Sequence, residues 1–409
     1  MEISTLQLRK GCAKPIHGGH PWVFADAIAK IDDEKVLPGD EVRIVDDLGT
    51  CLGHGFYSSS AIAVRIISRD DAPITKLTLD SRISSALQMR RDVLRLGDAT
   101  TAGATTAGAT TAYRLINSEG DGLGGLIVDV YGDVVVVQVS TAGMLRRVEA
   151  ILDSLQTHLK PRAILDRSES RARKLEGLEP SEAAALRGTP PQDPFFVREY
   201  GIECICDLRA GHAQKTGLYL DQRANRRYVG ELAADRHVLD VFSYSGAFSL
   251  HAARGGAASL TLMDSSENAL ELARKNLEHN QIDDADLIHA QWSDGFKLLR
   301  EQKRQFNFII LDPPKFARRK QDVAQALSGY RELNAQAARL LSPGGLLFTC
   351  SCSGNISELE FERAVAAGLR SAGKRAQLLD RRGTTSDHPV PPGFDQGRYL
   401  KCLLLHVED

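Results

Sequence analysis

Two short stretches in the second half of the chain join reactive residue types to spacings that place them at a strand end. Thr-Cys-Ser-Cys-Ser-Gly (349–354) closes one apolar run. Alternate residues of a strand share a face, so Cys350 and Cys352 point the same way if the strand continues that far. A buried cysteine is ordinarily a small hydrophobe, the simplest role for Cys350. Cys352 lies between two serines before a glycine, where exposure and nearby cations would favour a nucleophilic thiolate. Leu-Asp-Pro-Pro-Lys-Phe (311–316) closes another apolar run. Asp312 falls at its carboxyl edge, and Pro313 and Pro314 lock an extended turn. Such a rigid loop can hold a planar base against Phe316, with Lys315 beside it.

Upstream, Asp-Val-Phe-Ser-Tyr-Ser-Gly-Ala-Phe (240–248) reads as a strand end, a tight turn at Gly246 and a helix start. The next apolar run ends in Asp264, at a spacing of about twenty residues that suits an acid binding the two hydroxyls of a ribose. One glycine stands where dinucleotide folds carry three. By itself the stretch is equally an ordinary strand–turn–helix, with Asp264 capping the next helix. Asp294 follows a third run, either as an acceptor for an adenine amine or as a helix cap.

These residues need a frame, and the pattern from about 201 onward supplies one. Apolar runs at 237–242, 259–264, 286–290, 306–312 and 346–351 alternate with helical stretches at 246–256, 266–280, 322–341 and 357–371. Ser266 is a plausible cap, with Ala269, Leu272, Ala273, Asn276 and Leu277 on one side of its helix. A last pair of strands ends at 399–407. Alternating strands and helices predict an α/β fold with a parallel, doubly wound sheet, whose ligands bind at the carboxyl ends of its strands.

The first seventy or so residues differ. Short alternating strands at 39–47, 51–58 and 63–69 suggest a small β-barrel. Helical periodicity follows over 78–95, through Leu79, Ile83, Leu87, Val93 and Leu94. A repeated Thr-Thr-Ala-Gly-Ala unit at 100–112 has almost no large apolar side chain and reads as an inserted mobile loop. Strands at 125–133 and 134–140, a helix near 143–159 and a strand at 163–168 complete a small α/β domain that ends at the Pro-rich 189–194. The expected domains are 1–73, 74–200 and 201–409.

Composition narrows the function classes. At 43% hydrophobic and 25% charged, the 409 residues describe an ordinary globular protein, not a disordered or collagenous one. No run of eighteen or more apolar residues would span a membrane. The first fifteen residues lack the apolar core of a signal peptide, so a cytoplasmic location is expected. Cys12, Cys51, Cys204, Cys206, Cys350, Cys352 and Cys402 form no Cys-x-x-Cys pair, so neither a disulfide framework nor a structural metal site is expected. The net charge is −2, split as −3, zero and +1 over the three domains. No domain could bind nucleic acid by bulk electrostatics, so any RNA contact must rest on local basic clusters.

The ordered set 240–248, Leu-Met-Asp (262–264), Trp-Ser-Asp (292–294), 311–316 and 349–354 resembles a Rossmann-like class I methyltransferase that uses S-adenosylmethionine (SAM). Lys-Thr-Gly-Leu-Tyr-Leu-Asp-Gln-Arg-Ala-Asn-Arg (215–226) resembles the segment before that motif in the RlmI-type ribosomal RNA large-subunit cytosine-C5 methyltransferases. His-Pro-Trp-Val-Phe (20–24) and 39–49 are similar to that family's amino-terminal PUA domain. Residues 113–133 are similar to its central domain, and Asp-His-Pro-Val (387–390) to its carboxyl end. The resemblance covers nearly the whole chain except the Thr-Ala repeat, an insertion in a tolerant loop.

The resemblance implies methylation of carbon 5 of a cytosine in large-subunit ribosomal RNA, with Cys352 as the covalent nucleophile and Asp312 at the catalytic edge. Many such enzymes carry a second cysteine where this chain has Pro314, which leaves Asp312, an ordered water or Cys350 to remove the carbon-5 proton. The target must leave its stack, so single-stranded or locally opened RNA is the expected substrate. By position, Phe242, Ser243, Gly246, Asp264, Ser265, Asp294, Asp312 and Gln222 would contact SAM. Pro313, Pro314, Lys315 and Phe316 would meet the base, and Arg318, Arg319 and Lys320 the phosphates. Arg223, Arg226 and Arg227 read equally as a solvated helix face or as RNA contacts. A homodimer is among the oligomeric states left open. The rival readings are methylation of a purine nitrogen, which needs no thiol, and an RNA-binding assembly factor without catalysis. A small-molecule methyltransferase would have no use for the barrel.

Overall fold

The computed structural model describes residues 3–33, 35–97, 109–181, 185–209, 217–317 and 319–408. Most of the Thr-Ala repeat, including residues 100–108, lies outside them, as does Arg318. The chain forms two compact units. One comprises Met1–Arg198, Cys206–Leu220 and Ser386–Gly397; the other comprises Glu199–Ile205, Asp221–Thr385 and Arg398–Asp409.

In the first unit, six short strands between Ser4 and Ser68 make one curled sheet. Its pairs are antiparallel, except that Ser4–Leu8 runs parallel to Glu41–Val45. The alternation in 39–47 places Val42 and Ile44 in a core with Leu6, Leu8, Val64 and Ile66. A five-stranded sheet follows, with the hairpin of Leu126–Tyr131 and Val134–Val139 at its centre. Helix Lys76–Gln88, opened by the Thr75–Thr78 capping box, buries Leu79, Ile83 and Leu87. They share a core with Ile151, Leu152 and Leu155 of helix Val148–Leu159.

The chain returns to this unit at Ser386–Gly397. The Asp387 carbonyl accepts from Arg90 Nη2 (2.8 Å), its carboxylate accepts from the Arg114 amide (2.9 Å), and Phe394 packs edge-on against Trp22.

The second unit is a seven-stranded sheet: β1 (His237–Val241), β2 (Ser259–Asp264), β3 (Ala285–His289), β4 (Phe306–Leu311), β5 (Leu341–Ser351), β6 (Arg375–Arg382) and β7 (Lys401–Glu408). The order is β3-β2-β1-β4-β5-β7-β6, and only β7 is antiparallel to its neighbours. Central strands covered on both faces read as continuous apolar runs, which is why β1 and β4 were legible. Helix α1 (Arg223–Glu231) precedes β1, and five helices connect the strands: α2 (Ala247–Arg254), α3 (Glu267–His279), α4 (Trp292–Glu301), α5 (Val323–Ala338) and α6 (Glu358–Ser371). Ser266 caps α3 by accepting from the Ala269 amide, and Ala269, Ala273, Asn276 and Leu277 are buried. The strand order reverses between β1 and β4, so the crevice for a ligand opens at their carboxyl ends. Among the described residues, no helix is long and apolar enough to cross a membrane.

Candidate active site

The turn from β1 into α2 carries three left-handed residues at alternate positions: Phe242 (φ 64°), Tyr244 (φ 46°) and Gly246 (φ 73°). For the two non-glycines this backbone costs about 1–2 kcal/mol each, so something must hold it. The amides of Phe242 and Ser243 donate to the Met263 carbonyl at 2.9 and 3.2 Å, and that of Tyr244 to Asp264 Oδ2 at 2.9 Å. Asn276 of α3 donates to the Ser245 carbonyl at 2.9 Å. A Cβ on Gly246 would lie 3.1 Å from both Ala273 Cβ and Leu262 Cδ2. The glycine thus serves the turn and the close packing of α3, and its bare side faces protein.

Asp264 ends β2 half-buried. Its Oδ2 takes the Tyr244 amide and its Oδ1 the Ser266 amide (2.9 Å). Helix α3 is capped by Ser266, not by Asp264. A carboxylate oxygen has two lone pairs, so each oxygen can accept one further hydroxyl proton. Ser265 is exposed beside it. Ser243 Oγ is buried in the adjoining turn without a hydrogen-bond partner. Asp294 is exposed in the first turn of α4, and no side chain caps that helix.

Asp312 follows β4 and is clamped: Gln222 Nε2 donates to its Oδ1 at 3.0 Å. Gln222 is buried at the start of α1 and is oriented in turn by Asn225 Nδ2, 2.7 Å from its Oε1. Gln222, expected at the cofactor, holds Asp312 through this bond. Deeper in β1, Asp240 is buried with Oδ2 bonded to Ser249 Oγ (2.8 Å), and Oδ1 has no partner. Burial, reinforced by the charges of Asp312 and Asp264, pushes its carboxyl up to about 7.

The loop after β4 places Pro313 inside and Pro314 and Lys315 at the surface. One face of Phe316 is taken by Tyr330, 4.7 Å away and tilted by 30°. The loops after β4 and β5 are tied together: the Ala317 amide donates to Ser353 Oγ at 3.2 Å, and Tyr330 Oη shares that hydroxyl at 3.2 Å. β5 ends at Ser351, so the condition for Cys350 and Cys352 to share a strand face is not met. Cys350 is fully buried opposite Cys402, and burial raises its thiol well above the ordinary range. Cys352 lies just past the strand, half-exposed, its Sγ 3.9 Å from the Pro313 carbonyl.

Lys401, which sequence reasoning passed over as one charge in a terminal strand, is buried beneath this turn. Its Nζ donates to the carbonyls of Ser353 (2.7 Å) and Ile356 (2.8 Å).

The basic residues divide sharply. Arg319 and Lys320 are exposed beside the β4 loop, and Arg319 pairs with Asp322 at 3.4 Å. Arg223 and Arg226 form no solvated face: both are buried, and Arg226 grips Glu199 through Nε and Nη2 at 2.9 and 2.5 Å. Arg227 is exposed, paired with Glu231 and set over the Tyr200 ring. Among the described residues, one group of metal-type side chains gathers, Cys51, His54 and Asp71 of the first unit. Both Asp71 oxygens are occupied by Arg43, at 2.6 and 2.7 Å.

Comparison with known proteins places this geometry. A family model for S-adenosylmethionine-dependent methyltransferases matches residues 133–376, and one for PUA-like domains matches 6–69. Ribosomal RNA large subunit methyltransferase I of Aeromonas salmonicida is 37% identical over 406 residues, 98% of this chain and 99% of its own. The protein of the same name from Photobacterium profundum is 34% identical over 411 residues, 99% and 100% of the two chains. A Streptococcus mutans structure, a candidate SAM-dependent methyltransferase, shares the fold at TM-score 0.81 and 23% identity, covering 99% of this chain and 100% of its own. A candidate methyltransferase complexed with SAH does so at 0.83 and 24%, with the same coverage. The acceptor pair on Asp264 and the unpartnered Ser243 hydroxyl fit the ribose side of such a cofactor.

Proposed function

The chain belongs to the family of S-adenosylmethionine-dependent methyltransferases with a PUA-like domain, and from that premise we propose that it methylates carbon 5 of a cytosine in large-subunit ribosomal RNA through a covalent Cys352 adduct. The observation that carries this reading is the position of Cys352. It is a half-exposed thiol one residue past β5, against the Pro313 carbonyl of the Asp312 loop. The name shared by the curated relatives supports the ribosomal substrate.

Bound SAM supplies an electrophilic methyl group. Asp264 would hold its ribose, with Phe242, Ser243 and Ser265 around it and Asp294 towards the adenine. Carbon 5 of cytosine is too weak a nucleophile to take that methyl unaided. Addition of Cys352 Sγ to carbon 6 makes carbon 5 enamine-like. Carbon 5 then forms its bond to the methyl group, and SAH is left. The carbon-5 proton passes to a base, the electron pair of that bond restores the ring double bond, and the sulfur–carbon 6 bond breaks. Burial and a raised pKa remove Cys350 as that base. Asp312, held in place by Gln222, or a water remains.

Pro314, Lys315 and Phe316 would receive the flipped base, with phosphates on Arg318, Arg319 and Lys320. The proposed domain division is barrel 1–73, α/β domain 74–200 and methyltransferase domain 201–409, acting in the cytoplasm. The test is Cys352→Ala with product mapping by mass spectrometry. Activity should fall by at least about a thousandfold, the scale of losing a covalent nucleophile. Near-normal turnover would sink the carbon-5 mechanism and favour a ring-nitrogen target. Unchanged cytosine methylation in ribosomal RNA from cells lacking the gene would remove the substrate.

A further inference from the structure

We propose that Lys401 is a positioning residue for Cys352: its buried ammonium fixes the turn after β5 and holds a positive charge beside the thiolate. This rests on the reading of Cys352 as the nucleophile and adds what activates it.

Lysine is almost never fully buried without a compensating partner. Lys401 is 5% exposed, and its hydrogen bonds go to two carbonyls, Ser353 O and Ile356 O. Among the described residues, no carboxylate lies within ion-pair distance of its Nζ. Carbonyl dipoles alone compensate a buried cation poorly, so an anion nearby would stabilise it, and Cys352 precedes the Ser353 carbonyl by one residue. Lys401 lies directly opposite Ser351 in the β5–β7 pair, so its side chain leaves the sheet on the Ser351 face, at the level where β5 ends one residue before Cys352. Its two bonds clasp the turn 353–356 immediately after the sulfur. The same turn is anchored from the other side by Tyr330 Oη and the Ala317 amide on Ser353 Oγ. Cys352 therefore stands on a braced turn whose brace is itself a cation.

The charges facing Lys401 are few: Cys352 and Cys402, Lys315, and Glu358 and Glu360 of α6. Burial lowers its ammonium to about 8, Cys352 opposes that shift and Lys315 adds to it. Coupling is mutual, so what the thiolate does for the ammonium the ammonium does for the thiolate.

The test reads the thiol directly, in the full chain without SAM or RNA. The pH dependence of Cys352 alkylation by iodoacetamide is followed by peptide mass spectrometry in the wild type, Lys401→Met and Lys401→Arg. The expected result is an alkylation midpoint about one pH unit higher in the methionine variant, the scale of one nearby charge, and recovery in the arginine variant. The acid limb of the kcat/KM profile should move by the same amount. An unchanged midpoint in a folded Lys401→Met variant would overturn the proposal.

A reciprocal measurement leaves the lysine intact should that variant fail to fold. Lys401 is titrated by its Cε resonance in wild type and Cys352→Ser. Its midpoint should fall by about the same unit, and an identical midpoint would overturn the coupling. The alkylation and Cε titrations do not involve methyl transfer, so a Cys352→Ala variant that keeps its turnover would defeat the nucleophile reading while leaving this coupling measurable.

Discussion

Replacing Asp240 with Asn should make the second unit more stable at pH 8, with a smaller gain at pH 5 that vanishes below about pH 4. Asp240 is buried within β1, bonded only through Oδ2 to Ser249, and its carboxyl is pushed up to about 7. In the unfolded chain the same group titrates near its ordinary value of 3.8. Between these values the folded protein holds a proton that the unfolded chain has released. Stability from this group is therefore greatest below pH 4 and declines as pH rises to about 7. Two pH units at about 1.4 kcal/mol each give a decline of about 3 kcal/mol between pH 5 and pH 7, and little more beyond. Asparagine keeps the shape and the Ser249 bond but cannot ionise, so it should escape that decline. The chain has two tryptophans, Trp22 and Trp292, one in each unit. In a Trp22→Phe background, fluorescence of Trp292, which packs on the core of the sheet, reports urea unfolding of the second unit alone. The stability difference between Asp240→Asn and Asp240 should grow by about 3 kcal/mol from pH 5 to pH 8. A difference that is constant over that range would show that Asp240 is not held protonated, and the reasoning from its burial would fail.

Two further outcomes follow from the turn after β1. Asp264→Ala removes the proposed ribose acceptors and those for the Tyr244 and Ser266 amides, so SAH binding by calorimetry should weaken about 10- to 100-fold, the scale of charge-assisted hydrogen bonds; unchanged affinity would place the ribose elsewhere. Gly246→Ala must adopt φ 73° and set a Cβ 3.1 Å from Ala273 and Leu262, so the Trp292-reported unfolding should lose about 1–3 kcal/mol; a neutral substitution would mean that α3 can move aside freely.

Residue order alone determined the class of the second unit. Its strands are apolar runs because both faces are covered, its helices carry their period and caps, and Cys352, Asp312 and Asp264 fall where such runs end. Those signals are local, since burial writes itself into neighbouring residues at spacings of two or three to four. What the tertiary structure decided involves partners far apart in the chain. Gln222 clamps Asp312 ninety residues away. Arg226, charged and on a helix, reads as surface until Glu199 is found buried against it. Cys350 and Cys352 are already set apart by their neighbours, but that β5 stops between them, with Cys350 buried and Cys352 part-exposed, is decided by the fold. Ser386–Gly397 follows six strands of the second unit, yet it packs with the first because Arg90 and Arg114 bind Asp387 there. Lys401 is one charge in a terminal strand until the antiparallel return of β7 lays it under the Cys352 turn. A buried charge leaves no periodic trace, because what makes burial tolerable is a partner supplied by the fold.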